Sequence, residues 1–184
     1  MAAVVVDMHK EIVLRLTKGD RSAQRELYDL YSRAMYNICM RILNRREDAE
    51  DVLQEVFLAA FKQIDTYRFD STFGAWLKKI TINKCINFMN KRKVELYLVD
   101  NYDKVNRPDV DEQKDWEHIQ LTVEKIHRAM TTLPDGCRII FSLFMLEGYD
   151  HSEISEILGI SESTSKTQLM RAKQLIRTTI LSNK

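Results

Sequence analysis

Apolar residues recur along most of this chain at intervals of three and four, the spacing that lines one face of a 3.6-residue helix. The pattern predicts helices over 22–44, 47–65, 72–92, 116–132, 135–147, 151–158 and 161–181. Period-two alternation never persists long enough for a strand, so the expected fold is all-α. Between Glu95 and Asp115 the periodicity stops and the sequence turns acidic, which reads as a flexible linker. The expected organisation is an N-terminal segment 1–21, a small helical domain 22–93, a linker 94–118 and a second small helical domain 119–184.

The polar positions are as informative as the apolar ones. On helix 47–65, Ala49, Leu53, Val56, Phe57, Ala60 and Ile64 form an inward stripe, while Glu47, Asp51, Gln54, Glu55 and Leu58 face outward. A leucine among carboxylates suits a protein-docking patch with an apolar centre and a charged rim, although a single exposed leucine is by itself ordinary. Helix 72–92 carries a second stripe, Trp76, Lys79, Asn83, Asn87 and Asn90. Three asparagines on one helix run against propensity. An aromatic ring, a cation and amides on one face suit unpaired nucleotides: the ring stacks on bases, the amides read their edges and the lysine holds phosphate. Tyr67 and Phe69 in the preceding loop add further aromatics. The alternative is a core tryptophan beside solvated asparagines.

Toward the C-terminus, Ile154, Ile157 and Leu158 share one face of a short helix, Gly159 supplies a left-handed stop, Ile160 reads as a buried plug and Ser161 as an N-cap. In the following helix Ser165, Leu169, Ala172 and Ile176 face one way, and Ser163, Thr167, Met170, Arg171 and Gln174 the other, flanked by Lys166 and Arg177. A short helix, a glycine turn and a second helix with a polar, cationic outer face form a helix-turn-helix. An αα-hairpin inside a bundle is the competing reading. Gly136 and Cys137 after Pro134 make an unusual helix opening, where fraying is expected.

Composition narrows the class. Only five Gly and two Pro among 184 residues argue against a turn-rich β protein. No run approaches the roughly 18 apolar residues of a membrane span, and the run Val4 to Val6 has no basic stretch before it, so neither a signal peptide nor membrane insertion is expected. Cys39, Cys85 and Cys137 are odd in number and far apart, which suits neither a disulfide framework nor a zinc site. The chain should be cytosolic, with no cofactor or metal. The net charge of +1 conceals blocks of +5 over 1–93, −5 over 94–118 and +1 over 119–184. No acid interrupts the cations from Ser71 to Val94 or from Ser163 to Lys184, so each tract is either a site for an anionic partner or a solvated face.

These residues resemble a known family. Asp48-Ala-Glu-Asp-Val-Leu-Gln-Glu-Val-Phe-Leu58 is similar to region 2.2 of sigma-70 factors, and Phe73-Gly-Ala-Trp-Leu-Lys-Lys-Ile-Thr-Ile-Asn83-Lys-Cys-Ile-Asn87 resembles regions 2.3 and 2.4. Leu133-Pro134, Glu147-Gly148-Tyr149 with His151 to Ile154, and Thr164 to Lys173 resemble region 4. With only these regions joined by a linker, the chain looks like an extracytoplasmic-function (ECF) sigma factor. The resemblance implies a bacterial, cytoplasmic transcription-initiation subunit whose partners are core RNA polymerase and promoter DNA, both duplex and single-stranded, and it admits an anti-sigma factor. By the same resemblance, docking on the polymerase β′ clamp falls to Glu47, Asp48, Asp51, Gln54, Glu55 and Leu58. Capture and melting of the minus-10 element falls to Tyr67, Phe69, Trp76, Lys79, Asn83 and Asn87. Reading of the duplex minus-35 element falls to Ser163, Lys166, Thr167, Gln168, Met170, Arg171, Lys173 and Gln174. Gln168 stands where many family members have Arg.

Two other classes compete. A stand-alone helix-turn-helix regulator would explain the C-terminal domain but needs neither the Leu58 face nor the asparagine stripe. An enzyme has little support, because the four histidines sit in no nucleophile elbow or HExxH pair and no glycine-rich phosphate loop is present. His151 beside Ser152 and Glu153 opens a helix, where capping and first-turn charge account for these residue types.

Overall fold

A computed structural model describes residues 8–91 and 123–182. The expected linker, the N-terminal valine run and the stretch 116–122 of one expected helix lie outside the described residues. Those described are helical with turns, without a strand, and fall into two compact units.

The first unit contains α1 (Lys10–Thr17), α2 (Arg21–Leu43), α3 (Arg46–Lys62) and α4 (Phe73–Lys91). Periodicity located the last three to within a few residues, but the helix expected to run to residue 65 stops at Lys62, and a 3-10 turn, Ile64–Thr66, follows. Helices α2, α3 and α4 pack against one another around Leu27, Ile42, Val52, Phe73, Leu77 and Ile82, all nearly inaccessible. Each such side chain contributes about 1.5–3 kcal/mol on burial. Cys39 and Cys85 meet within this core, and their contact together with burial pushes the Cys85 thiol far above its usual range. A neutral thiol is a poor nucleophile, so the pair behaves as packing.

Helix α1 was not expected. It buries Val13 and Leu16 against the bundle and packs on α2. An exposed polar cluster adds to this packing. Arg15 Nε donates to Asp20 Oδ2 at 2.8 Å, and Nη2 donates to Ser22 Oγ at 2.6 Å and to Glu26 Oε1 at 2.9 Å. Asp20 also caps α2, accepting from the Ser22 backbone N–H at 2.8 Å. The Ser22 hydroxyl, then Arg15, hold the Asp20 carboxyl down at about 2.

The second unit contains α5 (Val123–Thr131), α6 (Asp135–Phe141), α7 (His151–Leu158) and α8 (Glu162–Ser182). Helix α8 packs against the other three. The fraying expected at Gly136 and Cys137 is not what the structure shows: α6 begins at Asp135 and Cys137 is buried. The physical reason is Arg138, also buried, which lashes this turn down by donating to Leu133 O at 3.1 Å and to Asp135 Oδ1 at 2.6 Å. The single helix expected over 135–147 instead widens into a π-helical turn, Ser142–Leu146, in which the Glu147 N–H bonds Ser142 O at 3.1 Å.

Capping places α7 and α8. Asp150 and Glu153 form a reciprocal capping box at the start of α7. Gly159, at φ 67°, closes that helix, and the Ile160 N–H returns to Ser155 O at 3.1 Å. Ile160 is half-buried rather than a plug, so its backbone does the closing. Ser161 caps α8 by accepting from the Thr164 N–H at 3.1 Å.

Candidate functional site

Three surfaces gather the candidate residues. The first is on α3, where the inward stripe is buried as its spacing predicts, and Glu47, Asp51, Gln54, Glu55 and Leu58 are exposed. Leu58 is 71% exposed, the largest such value for a leucine among the described residues. Asp48 is corrected: it is 5% exposed, turned inward beside Arg45 at 3.7 Å, in the first turn of α3 where a carboxylate is favoured by the helix dipole. Glu55 reaches Lys84 of α4 at 3.3 Å, an exposed pair worth about 0–1 kcal/mol.

The second surface is on α4 and the loop before it. Lys79, Asn83, Asn87 and Asn90 are exposed along one side of the helix, and Trp76 is half-buried at its upper end. The Trp76 ring lies 5.3 Å from Tyr67 and 5.6 Å from Phe73, so one edge belongs to the aromatic core and the rest is accessible. Tyr67 is corrected: it is 6% exposed, and its hydroxyl donates to Ser71 O at 2.6 Å, which makes it a brace of the loop instead of a stacking platform. Phe69 stays half-exposed with its ring 4.6 Å from that of Tyr67. Its φ of 61° is a left-handed backbone that costs a bulky residue about 1–3 kcal/mol.

The third surface is the outer side of α8. Ser163, Lys166, Thr167, Met170 and Gln174 are exposed, with Arg171 and Lys173 half-buried at its margin. Lys166 is paired with Glu162 at 3.2 Å, one residue before the acid-free tract, and the Thr167 hydroxyl donates to its own helix at Ser163 O. Gln168 is corrected. It is 9% exposed, on the side of α8 that packs on α6, and its Oε1 accepts from the Cys137 thiol at 3.0 Å. Gln168 stands three residues after Ser165 and four before Ala172, so helical spacing already placed it beside the inward stripe, a signal that the family resemblance overrode.

His151 is half-buried, stacked on Phe144 at 4.6 Å, with Nδ1 2.8 Å from the hydroxyl of Ser165. Ser165 is fully buried, so the pair joins α7 to α8 and offers nothing to a substrate.

Comparison with known proteins bears on both units. The family model described as Sigma-70 region 2 matches residues 27–94, and that described as Sigma-70, region 4 matches 123–176, together more than half of the chain. The chain is 28% identical over 179 residues to the ECF RNA polymerase sigma factor SigW of Bacillus subtilis, covering 92% of this chain and 95% of that protein. It is 27% identical over 178 residues to the ECF RNA polymerase sigma-E factor of Haemophilus influenzae, covering 92% and 93%. In fold it is similar to the sigma factor RpoE solved in complex with the anti-sigma factor NepR from Bartonella quintana, with a TM-score of 0.55 at 20% identity, over 87% of this chain and 98% of that one.

Proposed function

The chain belongs to the ECF branch of the sigma-70 family, and from that premise we propose which of its faces meet polymerase and which meet DNA. As a sigma factor it binds core RNA polymerase and directs it to promoters. A stand-alone regulator is not favoured, because the region 2 match covers a unit that such a regulator does not need.

In this reading the exposed face of α3 docks on the polymerase β′ clamp. The observation that carries it is Leu58, left in water at the C-terminal end of the outward stripe formed by Glu47, Asp51, Gln54 and Glu55. Its apolar side chain supplies desolvation on docking, while the carboxylates of that stripe steer a basic partner and fix register. The accessible part of Trp76, with Phe69, Lys79, Asn83 and Asn87, takes the unpaired strand of the minus-10 element. Stacking is sequence-tolerant and the amides supply base preference, so one face both holds the bubble open and selects it. The outer side of α8 enters the duplex minus-35 element, where Lys166 and Lys173 meet phosphate, and Arg171 and Gln174 lie within the recognition helix. Each step is binding, and no residue is assigned a catalytic role. The work is assigned to the bacterial cytoplasm; among the described residues no helix is long and apolar enough to cross a membrane. The folding likeness to a sigma factor held by an anti-sigma factor makes such a protein a proposed regulator of this chain too.

The test is co-purification with core polymerase, followed by sequencing of transcripts made with and without the chain. Asn83→Ala should leave assembly intact and reduce open complex, read by permanganate reactivity of unpaired thymines. Wild-type opening and base preference in that variant would remove α4 from the DNA site.

A further inference from the structure

All of α1 lies ahead of residue 27, where the region 2 match begins, yet its first turn reaches the loop that carries Phe69. Lys10 Nζ sits 5.7 Å from the centroid of the Phe69 ring, within the range over which a ring quadrupole attracts a cation. His9, beside it, is anchored to α2: its Nδ1 is 2.7 Å from the Tyr31 hydroxyl, and the two rings meet edge-on at 5.4 Å. Tyr31 in turn meets Phe73, the first residue of α4, edge-on at 5.3 Å. A Cβ on Gly74 would stand only 2.9 Å from Tyr31 Cε1, so the ring is seated against the α4 backbone. Contacts therefore run from the start of α1 directly to Phe69, and through Tyr31 of α2 to the start of α4, which follows the loop. Phe69 needs such support, because a half-exposed phenylalanine at φ 61° has no backbone reason to stay there. Nor does helix stability explain Lys10, since the dipole disfavours a cation in the first turn.

We propose that Lys10 is a positioning residue of the minus-10 reader: its ammonium holds the Phe69 ring so that the loop meets an unpaired base with its conformation already formed. This rests on the assignment of Phe69 and the α4 face to unpaired DNA. A preformed loop leaves less ordering to be done on binding. The ring, half-exposed between Lys10 and Tyr67, offers an unpaired base an apolar edge whose orientation is set before the strand arrives.

The experiment uses reconstituted holoenzyme and a labelled single-stranded oligonucleotide, the nontemplate strand of a promoter mapped with that holoenzyme. Lys10→Met keeps the aliphatic stem and removes the charge; it should weaken binding by about 2- to 5-fold, and Lys10→Arg should restore it. In a Phe69→Leu background Lys10→Met should cause no further loss, because no ring remains to be held. Additive losses with a log–log salt slope flattened by about 0.7 would make Lys10 a direct phosphate contact and overturn the positioning role. Wild-type affinity in Lys10→Met would overturn it as well. A binding loss matched by a lower melting temperature of the free variant would reduce Lys10 to a stabiliser of α1 and likewise overturn the proposal. If Phe69→Leu and Asn83→Ala both bind normally, the underlying assignment of this face has failed, a result distinguishable from failure of Lys10 alone.

Discussion

Leu58→Ala separates docking from folding at a single side chain. Leucine contributes about 1.5–3 kcal/mol when it passes from full exposure to full burial. In the free chain Leu58 is 71% exposed, so most of that transfer is still available for a partner to realise. Alanine keeps the Cβ and forgoes the rest, which leaves a loss of about 1–2 kcal/mol, or roughly 5- to 30-fold in affinity for core polymerase. Leu58→Arg should go further, because it places a charge where the apolar side chain is to be desolvated. Neither change removes a packed group, so the free variants should melt within about 0.5 kcal/mol of wild type. The assay is titration of labelled variants with core polymerase by fluorescence anisotropy, alongside thermal melts followed by far-UV circular dichroism. Wild-type affinity for Leu58→Ala would remove α3 from the interface. A loss of affinity accompanied by a lower melting temperature would mean that Leu58 supports the fold instead of the docking.

Gln168→Ala removes the acceptor of the Cys137 thiol and leaves a void between α6 and α8; it should destabilise the second unit by about 1–2 kcal/mol, seen as faster hydrogen exchange in those two helices. Unaltered exchange there would return Gln168 to the DNA face. Lys166→Ala should flatten the log–log salt slope of promoter binding by about 0.9 if its ammonium leaves Glu162 for a phosphate, and an unchanged slope would keep it in that ion pair. The Asp20 carboxyl is depressed from 3.8 to about 2 in the folded chain, so its contribution to the α1–α2 joint is present above about pH 4 and is lost as pH falls toward 2. Protection of the α1 amides, taken relative to the intrinsic exchange rate at each pH, should fall over that window in wild type, and Asp20→Asn should reduce that fall.

Much of this molecule is legible in its residue order. Helices α2, α3, α4 and α8 each bury a long stripe, and a stripe of four or more turns imprints its period on the sequence. The faces of α3, α4 and α8 follow from the same stripes, since whatever is not turned inward on a packed helix must face outward. The turn at Gly159 and the cap at Ser161 are equally plain, because they are made by residues next to one another in the chain.

What tertiary structure decided lies where a side chain's partner is remote in sequence or where too few positions repeat. Helix α1 shows only two buried residues in eight, too short a record for periodicity, and it is placed by the packing of Val13 and Leu16 together with Arg15 reaching Glu26 on the next helix. The π-helical turn differs from its α-helical neighbour only in which carbonyl each N–H selects, a choice made by packing and not by residue type. Asp48 and Gln168 lie on neither outward stripe and joined the candidate surfaces through the family resemblance, as Tyr67 did through the resemblance and its place in an aromatic loop. Arg45, the Ser71 carbonyl and the Cys137 thiol supply the partners that let those atoms turn inward. A buried polar group is tolerated when it is hydrogen-bonded and costly when it is not. Hydrophobic period therefore sets which way a helix faces, while the burial of any one polar residue on it depends on packing that sets a partner against it, whether that partner is near in sequence, as for Asp48 and Tyr67, or remote, as for Gln168.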